Sequence, residues 1–379
     1  MSTVLLAVIA VILCVLFRIL NVNSQPQKPV IYGKDRGFIE NILFISPFLS
    51  EPYIPTRLWG FSGHVQTIIH SLIGRVRCPW PIGGRVSLIL PDKSTLTYDL
   101  YEPVGNEHEG HTDDYNYMIE NLLERYPNTK LILVGFSLGG NLVVKYLGED
   151  RKRPTNIIGG ISICQGYNAI DTMVYLLQWQ NFRRFYLYIM TDNYRNIITR
   201  HRRILLSPEM KSRYNLDEKM IVSAGTLPDL DEAYSRRVHG HESVADLYKW
   251  SSCAFYLNKI KTPMIFINAR DDPIVPEPLL PLIREYVSSR DKAMYLELAH
   301  GGHLGFYEGG LVFTNPVNWL DRALVGLAGG LLMAHNKCSQ KDVAVSEDCC
   351  YSDEEPDLIK SATIVYRNPF EKKIQSESQ

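Results

Sequence analysis

The chain has 379 residues, which is enough for one large domain or two smaller ones. Its 40 basic and 41 acidic side chains give a formal net charge of −1, which excludes a strongly basic nucleic-acid-binding protein. An apolar content of 45% excludes a largely disordered chain. The seven cysteines are scattered and form no Cys-x-x-Cys pair, so neither a disulfide framework nor a zinc site is predicted.

An uninterrupted apolar run, Val4–Phe17, opens the chain. At about 1.5 Å of rise per residue, the span Thr3–Leu20 is just long enough for a thin bilayer. A cleaved signal peptide would need basic residues before the run, and none is present. The sequence therefore predicts an uncleaved, single-pass membrane anchor over residues 1–22, in the plasma membrane or the endoplasmic reticulum. The basic residues that follow the run place the rest of the chain in the cytosol by the positive-inside rule.

Strands and helices alternate through residues 23–335. Two short strands, Val86–Leu90 and Ser94–Tyr101, predict a hairpin. Continuous apolar runs predict buried strands at Leu131–Val134, Ile157–Cys164, Met264–Asn268 and Met294–Leu298. Helices are predicted over Tyr115–Tyr126, from Ser137 to about Gly148, and over Trp319–His335. This alternation predicts an α/β fold with a mostly parallel sheet and helices on both faces. Residues 336–379 are polar and are predicted to be disordered.

The stretch GFSLG, residues 135–139, matches Gly-x-Ser-x-Gly between a predicted buried strand and a predicted helix. The serine of such a motif sits on a sharp, strained turn, where side chains two positions away would collide with the neighbouring strand and helix. Gly135 and Gly139 are therefore predicted to form a nucleophile elbow around Ser137. The backbone N–H of Leu138 is predicted to hold an oxyanion.

A nucleophilic serine needs a base, and the base needs a group that orients it. Two adjacent carboxylates, Asp271 and Asp272, follow the strand Met264–Asn268. Asp272 is the preferred orienting residue, because the residue before Pro273 begins the turn away from the strand. Asp271 is the alternative, with an N-cap or a surface charge as its competing role.

Two histidines, His300 and His303, follow the last predicted strand. His303 is the preferred base, because the glycine pair before it can form a turn that projects it back to Ser137; His300 is predicted to be structural. A metal ion held by the two histidines would lack a third ligand, so no metal and no cofactor is predicted. The chain order Ser137, Asp272, His303 is the order found in α/β hydrolases.

Two further short patterns are weak. His108 and Asp113 form a His-x4-Asp pattern, which is associated with acyl transfer to glycerol phosphates, and a polar loop is the competing interpretation. The tripeptide Asn368–Phe370 resembles the ligand of EH domains, and it would matter only in a cytosolic tail.

Several motifs together resemble the membrane-anchored α/β-hydrolase-domain lipases. They are GFSLGGN at 135–141, DDPIVP at 271–276, HGGHLGF at 300–306 and GHVQT at 63–67. The resemblance covers roughly residues 1–335. It implies an α/β-hydrolase fold and a serine hydrolase that cleaves lipid esters, chiefly monoacylglycerols, with Ser137 as nucleophile, Asp272 as orienting residue and His303 as base. It also implies a lumenal or extracellular catalytic domain, so the orientation in the membrane stays open.

One part of the chain departs from the family pattern. In the family fold, a third strand, a helix, a fourth strand and another helix separate the first hairpin from the nucleophile strand, and the loop after the third strand supplies a second oxyanion donor. Residues 103–130 have room for a polar loop and one helix only. We therefore predict that a block of about fifty residues is absent, including the third and fourth strands.

Residues 165–257 form a long, aromatic-rich insertion, which in the family is a helical cap over the site. Two interpretations of its aromatic stripe are open, a helical core face or the wall of a lid or acyl-chain channel. The residues of the stripe are Trp179, Phe182, Phe185, Tyr186, Tyr188 and Met190.

The sequence thus favours a lipid esterase, and two alternatives remain. The absent block favours a catalytically impaired isoform that binds lipid or a partner protein. His108 and Asp113 are the only support for a phospholipid esterase or acyltransferase.

Overall fold

The computed structural model describes residues 3–21, 23–74, 84–89, 95–100 and 112–344, with side chains described for 4–21, 23–74 and 112–337. Two compact units divide the chain. Met1–Cys78 and Ile119–Lys337 belong to the first unit, and a hairpin belongs to the second.

The first unit is built on a five-stranded sheet, and its strands lie in the order β1-β7-β6-β5-β4. They are β1 (Val30–Tyr32), β4 (Leu131–Phe136), β5 (Ile157–Ile163), β6 (Met264–Ala269) and β7 (Ala293–Leu298). Strands β4 to β7 pair in parallel, and β1 pairs with β7 antiparallel. Because β4 to β7 are parallel, their carboxyl ends meet at one edge of the sheet, where ligands bind in such folds. All four predicted strands of this sheet are confirmed, and β5, β6 and β7 are buried as predicted, but the predicted burial is wrong for β4, where Val134 and Phe136 are exposed.

The described residues form fifteen α-helices, some of which pack on this sheet while others fill the segment between β5 and β6. They are α1 (Thr3–Leu20), α2 (Arg36–Ile45), α3 (Gly63–Ile73), α4 (Thr112–Arg125), α5 (Leu138–Gly148), α6 (Ala169–Leu176), α7 (Arg183–Arg200), α8 (Arg202–Leu205), α9 (Pro208–Tyr214), α10 (Glu218–Ser223), α11 (Leu227–Leu230), α12 (Arg236–Val238), α13 (Val244–Ser251), α14 (Pro281–Ser289) and α15 (Trp319–Ala344).

Each face of the sheet is covered by helices because the central strands are apolar on both faces. Alternate residues such as Ile163 and Ile267 share one core cluster with Ile42 of α2 and Leu327 of α15. Residues of the opposite parity contact α5 and α14 on the other face, where the ring of Phe266 meets that of Tyr286 edge to face at 5.8 Å. The predicted α/β layering is confirmed.

The hairpin of the second unit consists of β2 (Gly84–Ile89) and β3 (Thr95–Leu100), which pair antiparallel from Gly84 with Leu100 to Ile89 with Thr95. It forms a two-stranded sheet of its own. The predicted hairpin is confirmed, while the predicted turn at residues 91–93 lies outside the described residues.

The predicted single-pass anchor over residues 1–22 is wrong. The apolar run does form a helix, α1, but no helix among the described residues is long and apolar enough to cross a membrane. At about 1.5 Å per residue, the 18 residues of α1 fall short of the roughly 30 Å of a typical hydrocarbon core, and Arg18 lies in its last turn.

The segment between β5 and β6 is helical from α6 to α13, as the insertion predicts. The last helix differs from its prediction, because α15 continues from Trp319 past His335 to Ala344. The predicted disordered tail therefore does not begin at residue 336. Residues 345–379, including Asn368–Phe370, lie outside the described residues.

Strand β4 is the outermost strand of the sheet and has a partner on one side only among the described residues. Val134 and Phe136 on this strand are 38% and 37% exposed. An unpaired apolar edge is a template for pairing with another chain.

We expect the protein to self-associate through this edge, and Val134→Lys to shift it toward the monomer in sedimentation velocity. A charged side chain on an edge strand opposes edge-to-edge pairing. Val222→Lys on α10 adds the same charge at a 48% exposed position away from the edge, and it should leave association unchanged. Equal effects of the two substitutions would contradict a role for β4.

Candidate active site

Ser137 lies between β4 and α5 at the carboxyl edge of the sheet. Its backbone has φ 50° and ψ −120°, a conformation that few L-residues adopt. The Ser137 N–H donates to Ile163 O at 2.8 Å, which ties the turn to the end of β5. Leu138 is the first residue of α5, so its N–H has no acceptor within the helix and is available to an oxyanion.

The two glycines of the motif have different surroundings. A Cβ on Gly135 would lie 2.1 Å from Gly139 O, so only glycine fits there. A Cβ on Gly139 would meet nothing within 4 Å in the part of the chain that the structure describes. The predicted collision is therefore wrong for Gly139. The second close approach is at Gly140, where a Cβ would lie 2.7 Å from Ser162 Oγ.

His303 and Asp272 complete a hydrogen-bonded line with Ser137. His303 Nε2 lies 2.8 Å from Ser137 Oγ, and His303 Nδ1 lies 2.8 Å from Asp272 Oδ2. The other carboxylate oxygen of Asp272 accepts hydrogen bonds from the N–H groups of Ile274 and Val275 at 2.8 and 2.9 Å. A carboxylate oxygen only accepts, so His303 carries a proton on Nδ1, and in its neutral form the ring offers the Nε2 lone pair to Ser137.

Asp271 and His300, the two alternatives, form a second pair beside the first. Asp271 Oδ2 lies 3.3 Å from His300 Nδ1, and Asp271 Oδ1 accepts a hydrogen bond from Gly302 N at 2.9 Å. Burial raises the pKa of the Asp271 carboxyl, and the hydrogen bond to His300 opposes that shift. His303 is therefore hydrogen-bonded to both Ser137 and Asp272, whereas Asp271 and His300 are hydrogen-bonded to each other.

Helix α3 supports the loop that carries His303, a role that the sequence analysis did not assign to the GHVQT motif. Thr67 Oγ1 accepts a hydrogen bond from His303 N at 2.8 Å and donates to Gly63 O at 2.7 Å. Gln66 Oε1 accepts from Tyr307 N at 2.9 Å. Both side chains are almost fully buried. Polar residues on a helix face that packs inward could have indicated this supporting role, because buried polar groups are normally hydrogen-bonded.

The helical insertion contacts the rest of the unit beside this site. His64 Nδ1 lies 2.9 Å from Tyr186 OH on α7, with the rings stacked at 5.8 Å between centroids, and Phe182 meets the imidazole edge to face. Burial lowers the pKa of His64, against the opposing charge of Asp271, and burial raises the pKa of Tyr186 to about 12. Both side chains are therefore neutral near pH 7.

The aromatic stripe of the insertion faces outward for the most part. Trp179, Phe182, Phe185 and Tyr188 are 53–78% exposed, whereas Tyr186 is buried. A helical core face is therefore wrong for these four residues and correct for Tyr186.

Two further predictions concern groups outside this hydrogen-bonded line. Among the described residues, no three His, Cys, Asp or Glu side chains approach closely enough to hold a metal ion. Asp113 lies in the first turn of α4, while His108 falls outside the described residues.

Comparison with known proteins gives consistent matches. Residues 91–310 match the family described as "alpha/beta hydrolase fold". "Abhydrolase domain-containing protein 2" of Drosophila melanogaster is 52% identical over 391 aligned residues, which cover 88% of this chain and 98% of that protein. Human "Monoacylglycerol lipase ABHD2" is 33% identical over 386 residues, which cover 86% of this chain and 91% of that protein. Both aligned lengths exceed the 379 residues of this chain, so each relative has aligned positions without a counterpart here.

A solved structure is also similar, the monoacylglycerol lipase of Paleococcus ferrophilus. It is 16% identical with a TM-score of 0.32, and the match covers 61% of this chain and 79% of that one.

Gly135→Ala should lower the free energy of unfolding by about 2 kcal/mol or more, because the added methyl group meets backbone atoms that cannot move aside. Gly139→Ala is the matched control. Its methyl group meets open space, and alanine is about 1 kcal/mol better than glycine inside a helix. Urea denaturation of the two variants compares them, and similar losses would contradict the close approach at Gly135.

Thr67→Val should lower the free energy of unfolding by about 1–3 kcal/mol, because it leaves the buried N–H of His303 without an acceptor. The reaction of Ser137 with a fluorophosphonate should slow as well, since His303 loses one support. Thr67→Ser keeps the hydroxyl and should react like the parent. Equal behaviour of the Val and Ser variants would show that this hydrogen bond supports nothing.

Proposed function

The chain belongs to the α/β hydrolase family, and we propose that it is a serine ester hydrolase that cleaves monoacylglycerols. The observation that carries the proposal is the line of hydrogen bonds from Ser137 Oγ to His303 Nε2 and from His303 Nδ1 to Asp272 Oδ2, each 2.8 Å long. This arrangement is the one that a serine nucleophile, its base and an orienting carboxylate need.

In the proposed reaction, Ser137 Oγ attacks the acyl carbonyl carbon of the ester while its proton passes to His303 Nε2. His303 returns that proton to the glycerol oxygen as the ester C–O bond breaks, which leaves an acyl group on Ser137. A water molecule then attacks the acyl carbon, gives its proton to His303 and releases the fatty acid, and Ser137 recovers its proton. Asp272 keeps the imidazole in the required tautomer and stabilises its positive charge.

The negative oxygen of each tetrahedral intermediate needs preorganised donors. The Leu138 N–H at the start of α5 is one such donor, and the partial positive charge of the helix N-terminus adds to it. The sequence lacks the loop that supplies the second donor in the family. Loss of one donor costs about 10²–10³ in rate, so we expect a slow enzyme rather than an inert protein.

Three observations support an internal gap before β4. The aligned relatives contain positions that this chain lacks. Only residues 101–111 separate β3 from α4, and α4 leads directly to β4. Strand β4 is outermost among the described strands of its sheet, where the family fold has a further strand. We propose that the third and fourth family strands are the missing part.

A lipid substrate is supported by the relatives and by the insertion. Relatives such as the human protein are named monoacylglycerol lipase. The exposed rings of the insertion provide an apolar surface that suits an acyl chain, and Phe182 lies against His64 close to the triad. We propose that this surface forms one wall of the acyl-chain site.

The first test is labelling of the purified chain by a fluorophosphonate probe. We expect labelling of the parent and complete loss in Ser137→Ala, because the reagent needs a serine activated by a neighbouring base. Ser223→Ala, an exposed serine on α10, is the control and should label like the parent. Release of fatty acid from a monoacylglycerol then tests the substrate.

Two outcomes separate the proposal from its rival. Labelling without hydrolysis of monoacylglycerols would retain the serine hydrolase and reject the substrate. Absence of labelling in a folded protein would reject the enzyme and favour the catalytically impaired form that binds lipid or a partner.

A further inference from the structure

A second Ser-His-Asp set lies next to the triad. Ser24 Oγ lies 2.8 Å from His300 Nε2, and His300 Nδ1 lies 3.3 Å from Asp271 Oδ2. His300 is 5% exposed, and its ring meets Phe61 edge to face at 5.3 Å. This set joins the segment after α1 to the two loops that carry Asp272 and His303.

The segment after α1 forms hydrogen bonds with other parts of the unit at three residues, Asn21, Ser24 and Gln27. Asn21 Nδ2 donates to Phe61 O at 3.1 Å. Gln27 accepts hydrogen bonds from Arg270 Nη2 and from Tyr53 N, both at 3.0 Å. Ser24 lies between these two fixed points, so the Ser24 hydroxyl is held at His300.

The link from Ser24 to the triad continues through Asp271. Asp271 precedes Asp272 directly, and its Oδ1 accepts the N–H of Gly302, the residue immediately before His303. The carboxylate accepts the Nδ1 proton of His300, so in the neutral imidazole His300 Nε2 is an acceptor and the Ser24 hydroxyl donates to it. Every step of this link is a hydrogen bond between groups that are buried or half-buried.

The loop that carries His303 needs such external support. Gly301 and Gly302 have φ of 151° and 56°. Glycine adopts positive φ about as readily as negative φ, so these two residues do not by themselves fix the conformation of the loop. Two hydrogen bonds hold the backbone directly at His303. One runs from Gly302 N to Asp271 Oδ1, and the other from His303 N to Thr67 Oγ1. A displacement of about 1 Å in a catalytic group can cost 10² in rate.

We propose that Ser24 is a positioning residue for His303, acting through His300 and Asp271. The inference rests on the proposed function of the triad, and it adds a residue from outside the motifs of the fold. Without the Ser24 hydroxyl, a buried imidazole nitrogen loses its donor, and His300 must turn or exchange its proton to satisfy it. Either change alters the position of the Asp271 carboxylate, and with it the hydrogen bond that Gly302 N donates to Asp271 Oδ1.

The experiment compares Ser24→Ala, Ser24→Cys and Ser24→Thr in the full chain. The readouts are the rate of fluorophosphonate labelling at Ser137, and kcat and KM for a soluble short-chain ester. We expect Ser24→Ala to lower the labelling rate and kcat about 5–20-fold with little change in KM, because His303 acts in the transition state and does not bind the substrate. Ser24→Thr keeps the hydroxyl and should stay within about twofold of the parent, and the weakly donating thiol of Ser24→Cys should fall between them.

A double-mutant cycle tests the route of the effect. If Ser24 acts through Asp271, then Ser24→Ala combined with Asp271→Asn should lose no more rate than Asp271→Asn alone. Melting temperatures check that each variant is folded, and the Cys variant keeps the comparison available if Ser24→Ala does not fold.

Three results would overturn the inference while leaving the triad intact. They are a Ser24→Ala variant that labels at the parent's rate, a Thr variant as slow as the Ala variant, and fully additive losses in the double mutant. A folded parent that does not label at Ser137 would overturn the proposed function, and the inference with it.

Discussion

The hydrogen bond from Ser137 to His303 joins the ends of two strands that are not neighbours. Two other strands, β5 and β6, separate β4 from β7, so the gap is about 14 Å at the usual spacing between strands. The loop after β7 must cross this distance over the carboxyl edge of the sheet. Its position is therefore the constraint on which the whole site depends.

The loop after β7 contains two glycines, and hydrogen bonds to other elements fix its position. Carboxylates from the loop after β6 hold it on one side, Asp272 at the His303 ring and Asp271 at the backbone. Helix α3 holds it on the other side, through Thr67. All these supports are polar groups in a water-poor environment, where an unpaired partner costs about 1–3 kcal/mol. A partly formed support would therefore be unstable, which favours one arrangement of the loop over many.

Much of this could be predicted from the sequence, because strand periodicity and the order of serine, aspartate and histidine are local signals. Strand periodicity predicted the strands next to the site, and the residue order predicted Ser137, Asp272 and His303. The support from Thr67 is not local, since it depends on how α3 packs against a loop more than 200 residues away. The open space at Gly139 and the exposure of Trp179 depend likewise on which elements lie nearby. The apolar run did predict the extent of α1, Thr3–Leu20, and the error lay in treating an 18-residue helix as long enough for a bilayer.

The outermost position of β4 clarifies what the proposed gap removes. The nucleophile, the base and the orienting carboxylate all lie on β4, β6, β7 and the loops that follow them, and each of these strands has its partner toward the centre of the sheet. The proposed missing strands would lie on the far side of β4, so their absence takes away no group of the triad. The proposed gap would remove one oxyanion donor of the family fold and the strand that would pair with the apolar edge of β4. The proposed gap would therefore spare the groups that transfer the proton and the Leu138 N–H at the start of α5, and would affect only the second oxyanion donor.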